Sequence, residues 1–370
     1  MKFLLLASYA ESLINFRGHL LRDLAKKGLE LHVAGPALNG DPILLKKLHE
    51  IGCEVHEVNL QRKSLNVFKD LFLVYELWKL LNQIRPDYFM AYTAKPVIYG
   101  GFAAQIAGIK NRIVLITGLG SYFQNLRSFS IARVVILFLY RVSIKNAKIV
   151  FFQNVDDQKL FVRCLKLKTL RSVVVDGSGV DTSYFTPVAI PAGKVRFLLA
   201  ARFLKAKGVE EFLKAATIIN SNQIRAEFIL CGDFDYGPDS ISEDILKRYI
   251  DSGVVTYMGY VKDIRVAISA CSVFVLPSYR EGLPRSVLEA MAMGRPVITT
   301  DAPGCKETVL DSVNGYIVPI KSINPLVKAM NKFIHYPESC HVMGMNSRNI
   351  AEKRFDVSVI NKKMLQEMGL

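Results

Sequence analysis

Residues 273–294 read Val273-Phe-Val-Leu-Pro-Ser-Tyr-Arg-Glu-Gly-Leu-Pro-Arg-Ser-Val-Leu-Glu-Ala-Met-Ala-Met-Gly294. Val273–Pro277 is a short, unbroken apolar run, the pattern of a strand buried on both faces. Ser278 to Pro284 is a loop, and from Ser286 the apolar residues recur at helical spacing. Strand, loop and helix in that order form part of a parallel βα unit. The loop then lies at the carboxyl edge of the sheet, where open α/β sheets bind ligands. Glu281 stands on this loop and Glu289 about one turn into the helix.

Working outward, short apolar, β-branched runs alternate with helix-length segments along the whole chain. In the first half they are Phe3–Ala7, Leu29–Gly35, Cys53–Leu60, Tyr88–Tyr92, Ile113–Gly118, Ile149–Gln153 and Ser172–Asp176. The second half repeats the habit at Val195–Ala201, Glu227–Gly232, Val254–Gly259, Val273–Pro277, Pro296–Thr300 and Tyr316–Pro319. Two such series predict two doubly wound α/β domains. Thr186-Pro-Val-Ala-Ile-Pro-Ala-Gly193 has no periodicity and marks the seam. The expected domains are 1–187 and 188–350, with 351–370 a C-terminal helix crossing back to the first domain. Capping residues predict helix starts at Ser240 and Asp263.

The first strand of the second domain runs into Ala201-Arg-Phe-Leu-Lys-Ala-Lys-Gly208. Arg202 offers a planar fork and Lys207 a mobile point charge, a suitable pair for a diphosphate. Cations after a strand are common on surfaces, so alone this signal is weak. Together with Glu281 and Glu289, each able to take a pair of hydroxyls, it describes a nucleotide-sugar pocket. Gly282 allows close backbone approach, and free amides around Gly282, Leu283 and Ser286, on either side of Pro284, border the same place.

The composition is globular, with 51% hydrophobic and 22% charged residues. The net charge of +15 is uneven: +11 lies before Val188 and +4 after it. No acidic residue stands between Asp87 and Asp156, a stretch holding Lys95, Lys110, Arg112, Arg127, Arg133, Arg141, Lys145 and Lys148. Such a face suits nucleic acid, an anionic membrane, a polyphosphate substrate or plain solubility. No recognition motif accompanies it, which ranks nucleic acid last. Six scattered cysteines without a C-x-x-C pair read as reduced core thiols, and no histidine stands at metal-ligand spacing. Met1–Ser8 mimics a leader, but its apolar run is too short and reads as a first strand. No run approaches the ~18–20 residues of a membrane span.

Two patterns are decoys. Asp233-Phe-Asp235 resembles a metal-binding D-x-D, yet it follows Cys231-Gly232 where turn chemistry calls for Asp. Gly118-Leu-Gly120 lacks the third glycine of a dinucleotide fingerprint. In Gln124–Lys148, Arg127, Arg133, Arg141, Lys145 and Lys148 interleave with Phe129, Ile131, Val134, Ile136, Leu137, Phe138 and Leu139. Both a membrane-surface helix and a core helix with a solvated basic face fit that pattern.

The second domain resembles the family-4 glycosyltransferases, whose GT-B fold sets two Rossmann-like domains across a cleft. Arg202 and Lys207 match that family's arginine and lysine, and Glu281 and Glu289 its E-x7-E. Gly179-Val-Asp-Thr-Ser-Tyr-Phe185 is similar to the segment closing its first domain. Within the family, Ser8 to Leu21, Gly118–Tyr122 and Pro277–Gly282 look like bacterial enzymes extending polyprenyl-diphosphate-linked sugars, those of the N-acetylgalactosaminyl-transferring type above all.

The resemblance implies a retaining transfer of a hexose or N-acetylhexosamine from a UDP-sugar, with no metal or other cofactor. Arg202 and Lys207 would steady the leaving diphosphate, Glu289 the ribose, Glu281 the sugar, and Tyr260 and Val261 the uracil. The acceptor would be a polyprenyl-diphosphate-linked glycan at the cytoplasmic face of the cell membrane, met through the basic first domain. That domain departs from the family: Ser8–Ser12 replaces its Gly-Gly, and none of the six histidines occupies its active-site position. Thr93-Ala-Lys95-Pro and Thr117-Gly118-Leu-Gly120 stand there instead, so Arg17, Lys95, Gly118 and Gly120 are the acceptor-side candidates. A UDP-sugar epimerase of the same fold and a non-catalytic membrane adaptor stay open as alternatives. A phosphorylase-like enzyme would need a pyridoxal lysine, which no cue marks.

Overall fold

The computed structural model describes residues 1–61, 66–119, 123, 131–167, 170–221, 226–235, 237 and 239–370. Its strands are β1 (Lys2–Leu6), β2 (Glu30–Gly35), β3 (Cys53–Glu57), β4 (Tyr88–Tyr92), β5 (Asn111–Ile116), β6 (Ile149–Phe152) and β7 (Ser172–Val174), then β8 (Val195–Ala200), β9 (Ala226–Cys231), β10 (Thr256–Tyr257), β11 (Val273–Leu276), β12 (Val297–Thr300) and β13 (Gly315–Val318). Helices in the first half are α1 (Ser12–Asn15), α2 (Gly18–Lys26), α3 (Pro42–Ile51), α4 (Val67–Ile84), α5 (Gly101–Ile106), α6 (Ile131–Ile144) and α7 (Val155–Leu165). Those that follow are α8 (Val209–Ser221), α9 (Glu243–Asp251), α10 (Ile264–Ser269), α11 (Arg285–Ala292), α12 (Ile323–His335), α13 (Glu338–Ile350) and α14 (Val357–Met368).

Two compact units result, one of Met1–Ser178 with Ile360–Leu370, the other of Gly179–Val359. In the first, seven parallel strands run in the order β3-β2-β1-β4-β5-β6-β7. Alternation feeds a core on each face: Phe3 and Leu5 of β1 join one, Leu4 and Leu6 the other. In the second, six parallel strands run β10-β9-β8-β11-β12-β13, again with a core on each face. Strand order therefore reverses between β1 and β4 in one unit and between β8 and β11 in the other. Such switch points are where doubly wound sheets open a ligand crevice.

Every run expected to be a strand is one: β4 keeps its expected bounds, β1, β5, β9 and β13 begin a residue or two earlier, and the largest loss is at β10, reduced to Thr256–Tyr257. Asp263 caps α10 by accepting from the Arg265 amide. Ser240 caps nothing. It bridges Leu204, and the cap of α9 is Ser242, whose hydroxyl accepts from the Ile245 amide. The division between units falls after Ser178, not at 187/188. The aperiodic 186–193 segment is held inside the second unit because the buried Arg295 donates to the Val188 and Ala189 carbonyls at 2.7 and 3.1 Å. Arg348 likewise holds the carbonyls of Thr182 and Phe185.

Helix α14 begins in the second unit, and its residues from Ile360 onward belong to the first. Ile360, Met364, Leu365 and Met368 are buried in that unit's core, and Asn361 donates to Asp23 at 2.8 Å.

Candidate active site

At the β8/β11 switch point, the two loops that leave the strands are welded together. Arg202 follows β8, and Lys205–Lys207 make one 3-10 turn ended by Gly208 in the left-handed region at φ 71°. A Cβ on Gly208 would lie 2.2 Å from the Pro277 carbonyl oxygen, so the glycine is what lets the two loops meet. The Tyr279 amide donates to the Ala206 carbonyl at 2.9 Å. Across this seam the Lys207 ammonium donates to Glu281 Oε1 at 2.5 Å.

The backbone of Glu281 is fixed from its other side. Its amide donates to the Pro303 carbonyl at 2.9 Å, and Gly304, at φ 83°, approaches so closely that a Cβ would sit 2.3 Å from the Glu281 carbonyl oxygen. Leu283 and Pro284 are buried and lead into α11, whose N-cap Pro284 supplies no side-chain capping bond. The helix opens at Arg285 and Ser286, so the positive end of its dipole faces the loop bearing Glu281. One turn in, Glu289 accepts from Arg285 Nε at 2.8 Å. Burial pushes the Glu289 carboxyl above its ordinary value, with Arg285 opposing and the negative Asp263 adding to the shift.

Arg202 donates to Asp235 Oδ2 at 2.6 Å and keeps more than half of its side chain exposed. The D-x-D decoy is thus a partner for the cation. Its neighbouring turn is built on Gly232, where a Cβ would stand 1.9 Å from the Ala201 carbonyl oxygen. Tyr260 is 70% exposed beyond β10, and Val261 packs on the core beside α10. The structure therefore gathers Arg202, Lys207, Glu281, Gly282 and Glu289 at one switch point, and places Tyr260 and Val261 on the loop after the neighbouring strand.

Sequence reading missed Tyr279, whose hydroxyl donates to Glu211 at 2.6 Å and whose phenol is pushed up by burial and that carboxylate. It also missed Asp263, which pairs with Arg265 while that guanidinium lies 3.9 Å from the Tyr184 ring. The Tyr279–Glu211 bond and the Arg265–Tyr184 stacking join residues far apart in the chain, for which one sequence carries no signal; Asp263 was legible only as a helix cap.

In the first unit, the β1/β4 switch point holds Ser8, whose hydroxyl is 2.7 Å from that of Thr93, and Ser12, equally close to the Tyr92 hydroxyl. Arg17 is only 2% exposed and stands over the Tyr92 ring at 5.3 Å. Burial pushes the Tyr92 phenol up to about 12, with Ser12 and Arg17 opposing. Lys95 donates to Asp70 at 2.6 Å, and Tyr99 donates to the other Asp70 oxygen at 2.7 Å. Gly118 follows β5 at φ 142°, and the next amide, of Leu119, donates to the buried Asp157. Gly120, Arg127 and Phe129 lie outside the described residues.

Helix α6 presents Ile131, Val134, Val135 and Phe138 to solvent, while Ile136, Leu137 and Leu139 pack inward. Helix α4 does the same with Phe68, Leu71, Phe72 and Tyr75, a second stripe at helical spacing. Among the described residues no helix is long and apolar enough to cross a membrane. All six cysteines are free thiols, five of them buried.

Two doubly wound units in one chain, the second with cations and carboxylates at its switch point, are the architecture of the GT-B glycosyltransferases. Residues 181–350 match the glycosyl transferases group 1 model and 2–154 the glycosyl transferase 4-like model, so the chain belongs to these glycosyltransferases. It is similar to the Campylobacter jejuni N,N'-diacetylbacillosaminyl-diphospho-undecaprenol alpha-1,3-N-acetylgalactosaminyltransferase, 29% identical over 99% of this chain and 98% of that enzyme. The Escherichia coli UDP-Gal:alpha-D-GlcNAc-diphosphoundecaprenol alpha-1,3-galactosyltransferase is 24% identical over 80% of this chain and 78% of its own. In fold, the chain matches Anabaena HepE in complex with UDP, with a TM-score of 0.76, 22% identity and complete coverage of both chains. It also matches a Thermosynechococcus elongatus sucrose-phosphate synthase with a TM-score of 0.81, 21% identity and coverage of 99% and 98%.

Proposed function

We propose that this glycosyltransferase moves a hexose or N-acetylhexosamine from a UDP-sugar to a polyprenyl-diphosphate-linked glycan, with retention of configuration, as a family-4 enzyme. The observation that carries the reading is the Lys207–Glu281 contact, which sets a cation and a carboxylate side by side at the switch point. Arg202, Lys207 and the α11 N-terminus would take the charge growing on the departing diphosphate, usually the largest catalytic contribution. Glu289 would hold the ribose hydroxyls, Glu281 the sugar, and Tyr260 with Val261 the uracil. The donor phosphate oxygen that leaves would accept the proton of the attacking hydroxyl on the same face of the sugar. No metal is assigned a role in the transfer.

The acceptor's lipid supports a cytoplasmic, peripheral station on the inner face of the membrane. The exposed apolar stripes of α4 and α6 would sit among the lipids, flanked by cations such as Lys69, Lys79, Arg141 and Lys145. Arg17, Lys95, Gly118 and Gly120 are kept for the acceptor side. Undecaprenyl-diphosphate-linked substrates named for the two relatives favour this choice over an epimerase or an adaptor.

The test is thermal stabilisation by UDP, GDP, ADP and a panel of UDP-sugars, followed by transfer to a polyprenyl-diphosphate-linked sugar and assignment of the product anomer by NMR. Stabilisation by UDP and one UDP-sugar is expected, with transfer lost in Glu281→Ala while that variant stays folded. Wild-type-like turnover by Glu281→Ala would sink the site assignment.

A further inference from the structure

The sheet register of the first unit brings together three residues that the sequence leaves apart. Strands β2 and β3 are parallel, with His32 opposite Glu54 and Ala34 opposite His56. Side chains alternate across a strand, so His32, Glu54 and His56 project from one face. His32 is 2% exposed, His56 half-buried and Glu54 largely open to water at the edge strand. His32 Nδ1 is 3.0 Å from His56 Nε2. The Glu54 carboxylate reaches both, its Oε2 3.5 Å from His32 Nδ1 and its Oε1 3.6 Å from His56 Nε2.

Hydrogen bonding alone accounts for only part of this. An N–H of His56 donating to His32 explains the 3.0 Å contact. The 3.5 and 3.6 Å separations exceed the 2.7–3.2 Å of an N–H···O bond. Donors about 2.0–2.2 Å from one zinc ion at tetrahedral angles lie roughly 3.3–3.6 Å apart; the 3.5 and 3.6 Å separations fall in that range, and the 3.0 Å between the two imidazoles would open by a few tenths of an ångström around an ion.

The far side of His32 supplies a second, independent observation. Its Nε2 is 3.1 Å from Glu30 Oε1, and the same oxygen is 3.2 Å from the Lys2 ammonium. With Nε2–H donating to Glu30, the lone pair of Nδ1 is the one turned toward His56 and Glu54; this tautomer is assigned from the bonding network. A carboxylate behind a ligating histidine is the usual support of a metal site.

We infer that His32, His56 and Glu54 bind one divalent transition-metal ion, with Zn2+ the best match to two imidazoles and a carboxylate, and a water in the fourth position. Mg2+ and Ca2+, which take oxygen ligands, are excluded by the imidazoles. The ion ties the edge strand β3 to β2 and takes no part in sugar transfer.

The test uses the untagged full chain, freed of metal with a chelator and titrated with Zn2+ by calorimetry and with Co2+ by visible absorption. One equivalent is expected, with a raised melting temperature and a cobalt spectrum of low coordination number. His56→Ala and Glu54→Ala, both at the accessible edge, should each weaken binding at least tenfold while circular dichroism and UDP-induced stabilisation stay unchanged. Absence of a bound equivalent in the wild type overturns the inference. So does an unchanged affinity in His56→Ala, which would mean an adventitious ion only. UDP binding is read separately, so failure here leaves the donor site standing.

Discussion

Glu289 is a buried carboxylate and the group proposed to hold the donor's ribose, and its titration separates the two. Its folded pKa is raised, so the native state binds its proton more tightly than the unfolded chain does. Below the ordinary carboxyl range both states are protonated and nothing is lost; as pH rises through that range to the folded value, ionising the buried group costs stability. Glu289→Gln removes this cost. The variant should therefore gain melting temperature relative to wild type as pH rises from the ordinary carboxyl range through the folded value, and keep that gain above it, while losing transfer by roughly 10²-fold or more if charged bonds to two hydroxyls vanish as proposed. A melting-temperature difference that does not change with pH would count against a raised carboxyl. The thiols of Cys271, Cys305 and Cys340, pushed up to about 12 by burial, should resist alkylation at neutral pH until the chain unfolds.

Between residues and the whole chain, loops and helices carry their own consequences. Gly208→Ala places a Cβ against the Pro277 carbonyl at a left-handed φ, and should destabilise by about 2–5 kcal/mol, read by chemical denaturation, with transfer lost. The stripes on α4 and α6 make a different prediction. Phe68→Glu with Phe72→Glu should lower partition onto vesicles containing phosphatidylglycerol about tenfold or more without shifting the melting point, since both side chains are exposed. Much at this scale was legible in the sequence. Short apolar runs rich in β-branched residues and bounded by turn signals read as strands covered on both faces, and their carboxyl ends pointed to Arg202, Lys207, Glu281 and Glu289. The α4 stripe escaped notice because an exposed apolar face reads, in sequence, like a buried one. The His32–Glu54–His56 cluster escaped because it depends on which strand lies beside which, and the 187/188 seam misled because Arg295 and Arg348, more than a hundred residues downstream, hold that segment in place.

At the scale of the molecule, saturating UDP at 100 times its dissociation constant should add about 2.7 kcal/mol to the stability of the binding unit. Calorimetric scans would follow that shift. Deleting Ile360–Leu370 strips four buried side chains from the core of the first unit, a loss on the order of 6 kcal/mol or more. That truncation should leave the first unit molten, read as lost near-ultraviolet dichroism. The same eleven residues impose a schedule on biosynthesis. Residues 1–178 leave the ribosome first, yet the helix that completes their core follows only after all of 179–359 has been made. At typical elongation rates of about 5–20 residues per second, the N-terminal half waits roughly 10–40 s with an open apolar seam. The later-made unit thus has every residue it needs before the earlier one does, and the waiting seam is where a nascent-chain chaperone would be expected to bind.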